Sequence, residues 1–267
     1  MKYNPLSFLT TILERRKLVY SMARREVSSK YVGSAFGIVW AVAQPLVMIS
    51  VFWFIFSIGF RVSPRNDVPF VVWLAAGMAP WFAFADIMNL ATSAVISNGN
   101  LIKKTFFPSE ILPVIRAVSG LFSHLIFVTI VLCLIGLMQM EISFYFFQSL
   151  YYLCCLFFLA LGLSWTFASL TVFLRDIRHM VAIVMQVGFW ATPIFWDINM
   201  MSGTVQKILK LNPVYYIIQG YRESFIYFTP FWHHPVYTLY FWGVTSLLFL
   251  GGMFVFARLK PQFPDVL

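Results

Sequence analysis

The residues able to do chemistry are few and scattered along the 267-residue chain. None of the fourteen glycines opens a G-x-x-x-x-G-K-[ST] run, so the chain offers no backbone cradle for a nucleotide phosphate. It also lacks H-E-x-x-H, G-x-S-x-G and any Cys/His cluster at metal spacing. His233-His234 is the sole histidine pair. Adjacent helical residues point to different sides, and this pair sits in a Pro-flanked loop, so a metal site is disfavoured. Asp176, between Arg175 and Arg178, reads as a local ion pair at a helix end rather than an acid/base pair. No catalytic residue is assigned.

Asp86 is the one acid clearly inside an apolar run. Intramembrane carboxylates are costly and face a bundle interior or a wet cavity. Three readings stay open: it lines a pathway, it pairs with a polar neighbour, or it lies nearer a membrane face. Aromatics are abundant, with thirty Phe, twelve Tyr and nine Trp. Phe52, Trp53, Phe56 and Phe60 fall within about 100° of one another at helical spacing. Phe70, Trp73, Trp81 and Phe84 likewise share a face, whereas Phe189, Trp190, Phe195 and Trp196 scatter around theirs. Ring faces can stack on the C–H surface of sugars, though helix packing or lipid contact is the simpler account of any single ring.

The elements that carry these residues are set by composition. Sixty per cent of residues are hydrophobic and 11% are charged, with a mean hydropathy of +0.81. A soluble domain holds roughly 25% charged residues. Disorder, a coiled coil, a small disulfide scaffold and a soluble domain are excluded; the chain is an integral membrane protein. The net charge of +9 reflects cations flanking apolar runs, not a nucleic-acid surface. Cys133, Cys154 and Cys155 all lie within hydrophobic runs and read as small core residues. No cleavable signal precedes the first long apolar run.

Spanning ~30 Å of hydrocarbon takes about twenty apolar helical residues. Six segments meet or approach that length: 36–59, 70–96, 114–138, 145–173, 181–196 and 237–257. The fifth is the weakest. An even number places both ends on one side. Lys2, Arg15, Arg16, Lys17, Arg24, Arg25, Lys30, Lys103, Lys104, Arg116, Arg175, Arg178, Arg258 and Lys260 lie on that side. Only Arg61, Arg65, Lys207, Lys210 and Arg222 lie on the other, so both termini are cytoplasmic by the positive-inside rule.

Residues 7–31 are too charged to span. Leu9, Ile12, Leu13, Val19, Tyr20, Ala23, Val27 and Tyr31 nevertheless recur at helical spacing, predicting a helix on the cytoplasmic membrane surface. The stretch 197–236 is rich in apolar groups and broken at Asn212-Pro213. It predicts a helical hairpin dipping into the outer half of the bilayer, with a small extracytoplasmic cap as the alternative. Gly33-x-x-x-Gly37 permits close helix approach, and Pro45 and Pro80 should kink the first two spans.

The motifs also have a specific order. Arg24-Arg25-Glu26 through Lys30-Tyr31 precedes Gly33-Ser34-Ala35-Phe36-Gly37-Ile38-Val39-Trp40 and Gln44-Pro45-Leu46. Asn98-Gly99-Asn100-Leu101-Ile102-Lys103-Lys104 and Phe107-Pro108-Ser109-Glu110-Ile111-Leu112-Pro113 follow. Then come Phe173-Leu174-Arg175-Asp176-Ile177, Thr192-Pro193-Ile194-Phe195, Asn212-Pro213 and Arg222-Glu223. Over essentially its whole length the chain resembles the permease subunit of a type-2 ABC transporter in the polysaccharide-export branch. It is most similar there to O-antigen export permeases.

The resemblance implies an all-α membrane fold with an interface helix over 1–35 and a six-span permease domain over 36–257. It also implies a coupling segment near 98–112, an extracytoplasmic gate hairpin near 197–236 and a short cytoplasmic tail over 258–267. It implies pairing with a second copy, so that one chain is half of a dimeric channel. Two ATP-binding subunits would carry the ATP and magnesium, leaving no cofactor in this chain. The cargo would be a lipid-linked polysaccharide, with membrane lipids around the protein and no nucleic acid involved. The implied location is the bacterial cytoplasmic (inner) membrane. The implied channel residues are Phe52, Trp53, Phe56, Trp81 and Phe84, joined by Phe189 and Trp190 because the first and fifth spans would open the channel. Arg24, Arg25, Leu101, Lys103, Lys104, Phe106 and Phe107 would couple to the ATPase. Asn212, Pro213, Arg222 and Glu223 would belong to the gate hairpin. The rival readings are a permease for capsule, teichoic acid or a non-glycan lipid or drug, and a membrane-embedded glycan-processing enzyme.

Overall fold

In lipid, backbone N–H and C=O groups must be satisfied within the protein, and an apolar run does this by closing each hydrogen bond inside one helix. The computed structural model describes residues 5–31, 34–62, 68–105 and 107–267, and among these it contains helices and no strand. Lys2, Gly33, Arg65 and Phe106 lie outside the described residues. Among the described residues, five helical stretches are long and apolar enough to cross a membrane: Val39–Gly59, Phe70–Thr92, Ile111–Leu137, Phe144–Phe173 and Pro235–Val266.

The chain opens with α1 (Pro5–Glu14) and α2 (Arg16–Tyr31). The single surface helix expected over 7–31 is thus two helices meeting at Arg15. The expected apolar stripe is only partly the buried one. Val19 and Ala23, one turn apart, are buried, as is Phe8, while Leu13 and Tyr20 are 66% and 67% exposed. The break at Arg15 separates the two halves of the stripe, and Tyr20 follows Val19 by about 100° of helical rotation. Phe8 packs edge-on against Trp165 and Phe256, with ring centroids 5.0 and 6.0 Å away.

Helix α3 (Val39–Trp53) continues into a π-helical stretch, Phe54–Gly59. It begins later than expected because Gly37 adopts a left-handed φ of +50°, which forms a turn ahead of the helix. A Cβ at Gly37 would meet nothing within 4 Å. This glycine supplies a turn; Gly33, its partner in the expected pair, lies outside the described residues. Next come α4 (Phe70–Thr92), α5 (Ala94–Ser97) and α6 (Gly99–Lys104). The Thr92 hydroxyl donates to the Met88 carbonyl at 2.6 Å and that of Ser93 to Leu90 at 3.3 Å. Such back-bonding competes with the helical ladder, and the second span ends here rather than at Ile96. Pro45 and Pro80 both lie inside helices that continue through them.

Three further long helices complete the bundle: α7 (Ile111–Leu137), α8 (Gln148–Phe173) and α12 (Pro235–Leu259). Helix α4 is its centre, with Val72, Leu74, Ala75, Ala76, Met78 and Ala79 all fully buried. Its small residues let α7, α8 and α9 (Ile177–Ala191) approach closely. Helices α8 and α12 touch backbone to backbone: a Cβ at Gly162 would stand 2.6 Å from Phe249 Cα, and one at Gly252 would collide with the Gly162 carbonyl.

The expected fifth span is short. Helix α9 has 15 residues, about 22 Å at 1.5 Å per residue. Pro193 disfavours helical backbone at Thr192, whose φ and ψ are −85° and 138°. Beyond it, α10 (Gly203–Lys210) and α11 (Pro213–Arg222) meet at Asn212, whose side chain caps α11 by accepting from Val214 N at 3.0 Å. Helix α10 buries none of its residues, whereas α11 buries Val214, Ile217, Ile218 and Tyr221 among α4, α8 and α12. A π-helical stretch, Glu223–Tyr227, ends at Phe228 in a left-handed conformation with φ +50°. The tail turns through α13 (Phe263–Val266), where Phe263 is fully buried against Phe256.

All three cysteines are free thiols. Only Cys155 is buried; Cys133 and Cys154 face outward from α7 and α8, where lipid accommodates them as a core would. They are therefore not all core residues. Asp176 precedes α9 without any carboxylate–cation contact within 4 Å among the described residues, so the expected local ion pair is absent there.

Candidate functional site

Helices α3, α4 and α9 enclose an open trough of about 390 Å³. Phe82, Asp86 and Asn89 of α4, Gln186, Phe189 and Trp190 of α9, and Met48 of α3 line it. Its rings form a continuous cluster. The Phe52 centroid lies 5.3 Å from that of Phe189 and 6.2 Å from that of Trp190. Phe56 stacks on Phe195 at 4.7 Å, and Phe195 lies 5.0 Å from Trp190. Phe82 is 5.6 Å from Phe189.

The sequence-assigned aromatics therefore separate into two groups. Phe52, Phe56, Phe189 and Trp190 come together, with Trp53 partly exposed beside them on α3. Trp81 and Phe84 are each 3% exposed within a single chain, and the Trp81 ring packs over Gly188. Phe82 and Phe195 were missed as members of this wall. Phe82 lies one residue off the face that Trp81 and Phe84 share. Phe195 follows the end of α9, so its position does not obey helical spacing.

Polar groups flank the rings. Asn89 and Gln186 are exposed. Asp86 Oδ2 receives Lys30 Nζ of α2 at 3.0 Å, so it both borders the trough and has an ionic partner. Glu26 of the same surface helix pairs with Arg116 of α7. Lys260 of the tail reaches Glu110 Oε2 at 2.6 Å, and Trp165 donates to the Glu110 carbonyl at 3.0 Å. These contacts tie α2 and the tail to one end of the bundle.

At that same end, α6 exposes Lys103 and Lys104 while Leu101 and Phe107 are half-buried. Arg24 and Arg25 are exposed on α2. The Leu267 side chain packs over Gly99, where a Cβ would lie 3.6 Å from its own.

The opposite end, where α4, α8 and α12 begin, holds a second cavity of about 330 Å³. Arg222, 2% exposed, donates to the carbonyls of Pro193 at 2.9 Å and Ile194 at 2.6 Å. Its guanidinium carbon stands 3.5 Å from the centroid of the Trp73 ring. Burial pushes its pKa down to about 10, which leaves it cationic at neutral pH. Glu223 is 7% exposed, and burial pushes its carboxyl up to about 7. His234 Nε2 lies 3.8 Å from Glu223 Oε1. Burial, followed by neighbouring His233 and Lys210, lowers the His234 pKa. Both shifts disfavour the charged pair, so this contact is not a strong ion pair near neutral pH. Asn212 also donates to the Thr192 hydroxyl at 3.2 Å, fixing the start of α11 to the end of α9, and Pro213 takes the first helical turn. No group of three His, Cys, Asp or Glu residues able to hold a metal occurs among the described residues.

Long apolar helices around an open aromatic trough define a multi-pass membrane protein. The chain belongs to the ABC-2 type transporter family, whose model matches residues 17–226. It is 29% identical over 269 residues to an O-antigen export system permease protein RfbA of Klebsiella pneumoniae, covering all of this chain and 98% of that one. A Myxococcus xanthus protein of the same name is 25% identical over 80% of this chain and 82% of its own length. The polysialic acid transport protein KpsM of Escherichia coli is 22% identical over 77% of this chain and 80% of its own.

Proposed function

We propose that the chain is the transmembrane subunit of an ATP-driven exporter that carries a lipid-linked polysaccharide, of O-antigen type, across the bacterial inner membrane. The observation that carries this reading is the open trough, where Asn89 and Gln186 are exposed beside Phe189 and Trp190. Gln186 lies nine residues into α9, and an amide at that depth does not face lipid; it faces protein or a water-filled cavity. A second copy laid against α3 and α9 would cover the trough and complete a channel with polar groups for hydroxyls and rings for sugar faces. The names of the similar proteins support a polysaccharide cargo.

In this reading α9, extended by the segment after it, is the fifth span in chain order and brings the total to six. Both termini are then cytoplasmic, and the hairpin of α10 and α11, with Asn212, Pro213, Arg222 and Glu223, is a gate at the outer face. Two ATP-binding subunits dock at the opposite end on α2 and α6, where Arg24, Arg25, Lys103 and Lys104 are exposed beside Leu101 and Phe107. ATP and magnesium bind those partners, whose closure moves α6 and through it α3 and α9. The polymer then advances past Phe52, Phe56, Phe189 and Trp190.

The test is to delete the gene in its host and locate the lipid-linked glycan. Full-length polymer held inside on its carrier, with none at the surface, is the expected result. Polymer that is absent everywhere or chemically altered would reassign the chain to synthesis, and an unchanged surface would reject the glycan cargo.

A further inference from the structure

The cavity at the hairpin end contains a carboxylate that its own fold leaves poorly satisfied. Glu223 is buried and faces this space, yet its hydrogen-bonding neighbours stand off. Tyr152 Oη is 3.4 Å away, Gln219 Nε2 3.5 Å and His234 Nε2 3.8 Å. Carboxyl oxygens normally accept O–H donors at about 2.5–3.0 Å and N–H donors at about 2.7–3.2 Å, and a buried polar group without such partners is costly. Arg222 does not relieve it, because its guanidinium is engaged by two carbonyls and the Trp73 ring.

The walls indicate what would. Tyr215, Tyr227, Tyr237 and Tyr240 present rings with polar edges, and Gln219 and Asn199 add amides. Among the lining residues Asp197 and Glu223 are matched by Lys210 and Arg222, so with Glu223 ionised the formal charges cancel and the site does not favour an ion of either sign. Ring faces for C–H surface, a carboxyl and amides for hydroxyls, and little net charge together match a pyranose sugar. A volume of about 330 Å³ is at the small end for ligand pockets and suits roughly one or two rings, not a polymer in transit.

We propose that this cavity is a saccharide-binding site, taking one or two sugar units through hydroxyl donation to Glu223 and stacking on its tyrosine walls. It shares no lining residue with the trough, so each copy carries it independently of the channel between copies. Its service to export, holding a unit of the emerging glycan at the outer face, rests on the proposed function above.

The test uses the full chain in lipid nanodiscs, since glycoside detergents would themselves present sugars. Methyl α-mannopyranoside, methyl β-galactopyranoside and N-acetylglucosamine are the probes, read by saturation-transfer NMR. At least one should bind saturably at millimolar concentration. At pH 8, above the Glu223 pKa of about 7, Glu223→Gln and Tyr215→Ala should weaken that binding about tenfold or more, the scale of a lost hydrogen bond to a charged group or a lost stacking face. Phe189→Ala in the trough should leave it unchanged, and thermal unfolding confirms that each variant is folded. Absence of binding by all three probes to the folded wild type overturns the site. Binding lost in Phe189→Ala and retained in Glu223→Gln also overturns it, by assigning the sugar to the trough. Export is read separately: a deletion strain with unchanged surface glycan overturns the export reading, while binding lost in Glu223→Gln still supports the site.

Discussion

Arg222 and Glu223 are neighbours in sequence with opposite structural roles. The guanidinium holds the segment after α9 in place through the carbonyls of Pro193 and Ile194, which the non-helical backbone at Thr192 and Pro193 would otherwise leave unpaired. Arg222→Ala should therefore lower the stability of the purified protein by about 3 kcal/mol, two charged hydrogen bonds being lost and two acceptors left buried. Arg222→Lys should recover only part, since an ammonium cannot fork to two carbonyls; thermal unfolding measures both. Glu223 makes a pH-dependent contribution. Its folded pKa of about 7 lies above the ordinary carboxylate value, so the folded state holds the proton more tightly than the unfolded chain. That stability is fully present below the unfolded pKa and is lost as pH rises toward about 7. Below its unfolded value of 6.5 His234 works in the opposite sense, its lowered pKa favouring the fold as pH rises. Subtracting the melting-temperature profile of Glu223→Gln from that of the wild type isolates the carboxyl. The difference should fall between about pH 4.5 and 7 and stay flat above it, and a flat difference throughout would place the carboxyl in water.

At the scale of elements, α6 is the critical piece. It is six residues long, too short to be stable alone, and it keeps its place because Leu267 packs over Gly99 and Phe107 is half-buried. Lys103→Ala with Lys104→Ala removes two exposed cations without disturbing that packing. The ATP-binding partner should then co-purify at least about tenfold less well, while the yield of the permease stays unchanged. Equal recovery of the partner would place docking elsewhere. Helix identity and approximate limits were legible from apolar run length, because a membrane span has only one way to satisfy its backbone. The details that were not legible all depend on tertiary context. A turn at Arg15 divided the surface helix, and Thr92 and Ser93 ended a span early by bonding to their own backbone. The close crossing of α8 and α12 rests on Gly162 and Gly252, 90 positions apart, which no local motif connects. The trough was half legible. Phe52 of α3 and Phe56 of the π-helical stretch after it are four residues apart, a spacing visible in the sequence, but Phe195 reaches the same cluster from beyond a helix end, and Lys30 finds Asp86 across fifty-six positions.

At the scale of the whole molecule, a single chain leaves one face incompletely explained. Helix α12 exposes Leu239, Leu247 and Leu250, which lipid satisfies as fully as protein would. Helices α3 and α9 are also apolar outside, with Val47, Val184 and Val187 each 59% exposed. They differ in flanking a trough that carries Asn89, Gln186 and the Lys30–Asp86 pair. Hydrocarbon cannot solvate those groups, so the two faces have different requirements although their exposed surfaces are similarly apolar. A homo-oligomer closed by a two-fold axis would bring the same patch of two copies together. Single cysteines at Val47, Val184 or Val187, introduced after Cys133, Cys154 and Cys155 are replaced by Ala, test this directly. Near the axis a residue meets its own counterpart, and a disulfide needs Cα atoms within about 7 Å. At least one of the three should give a cross-linked dimer in native membranes under mild oxidation, and Leu247→Cys should not. Dimers through Leu247 with none through the α3 and α9 positions would put the partner on the far side of the bundle and leave the trough to be covered by something other than a second copy.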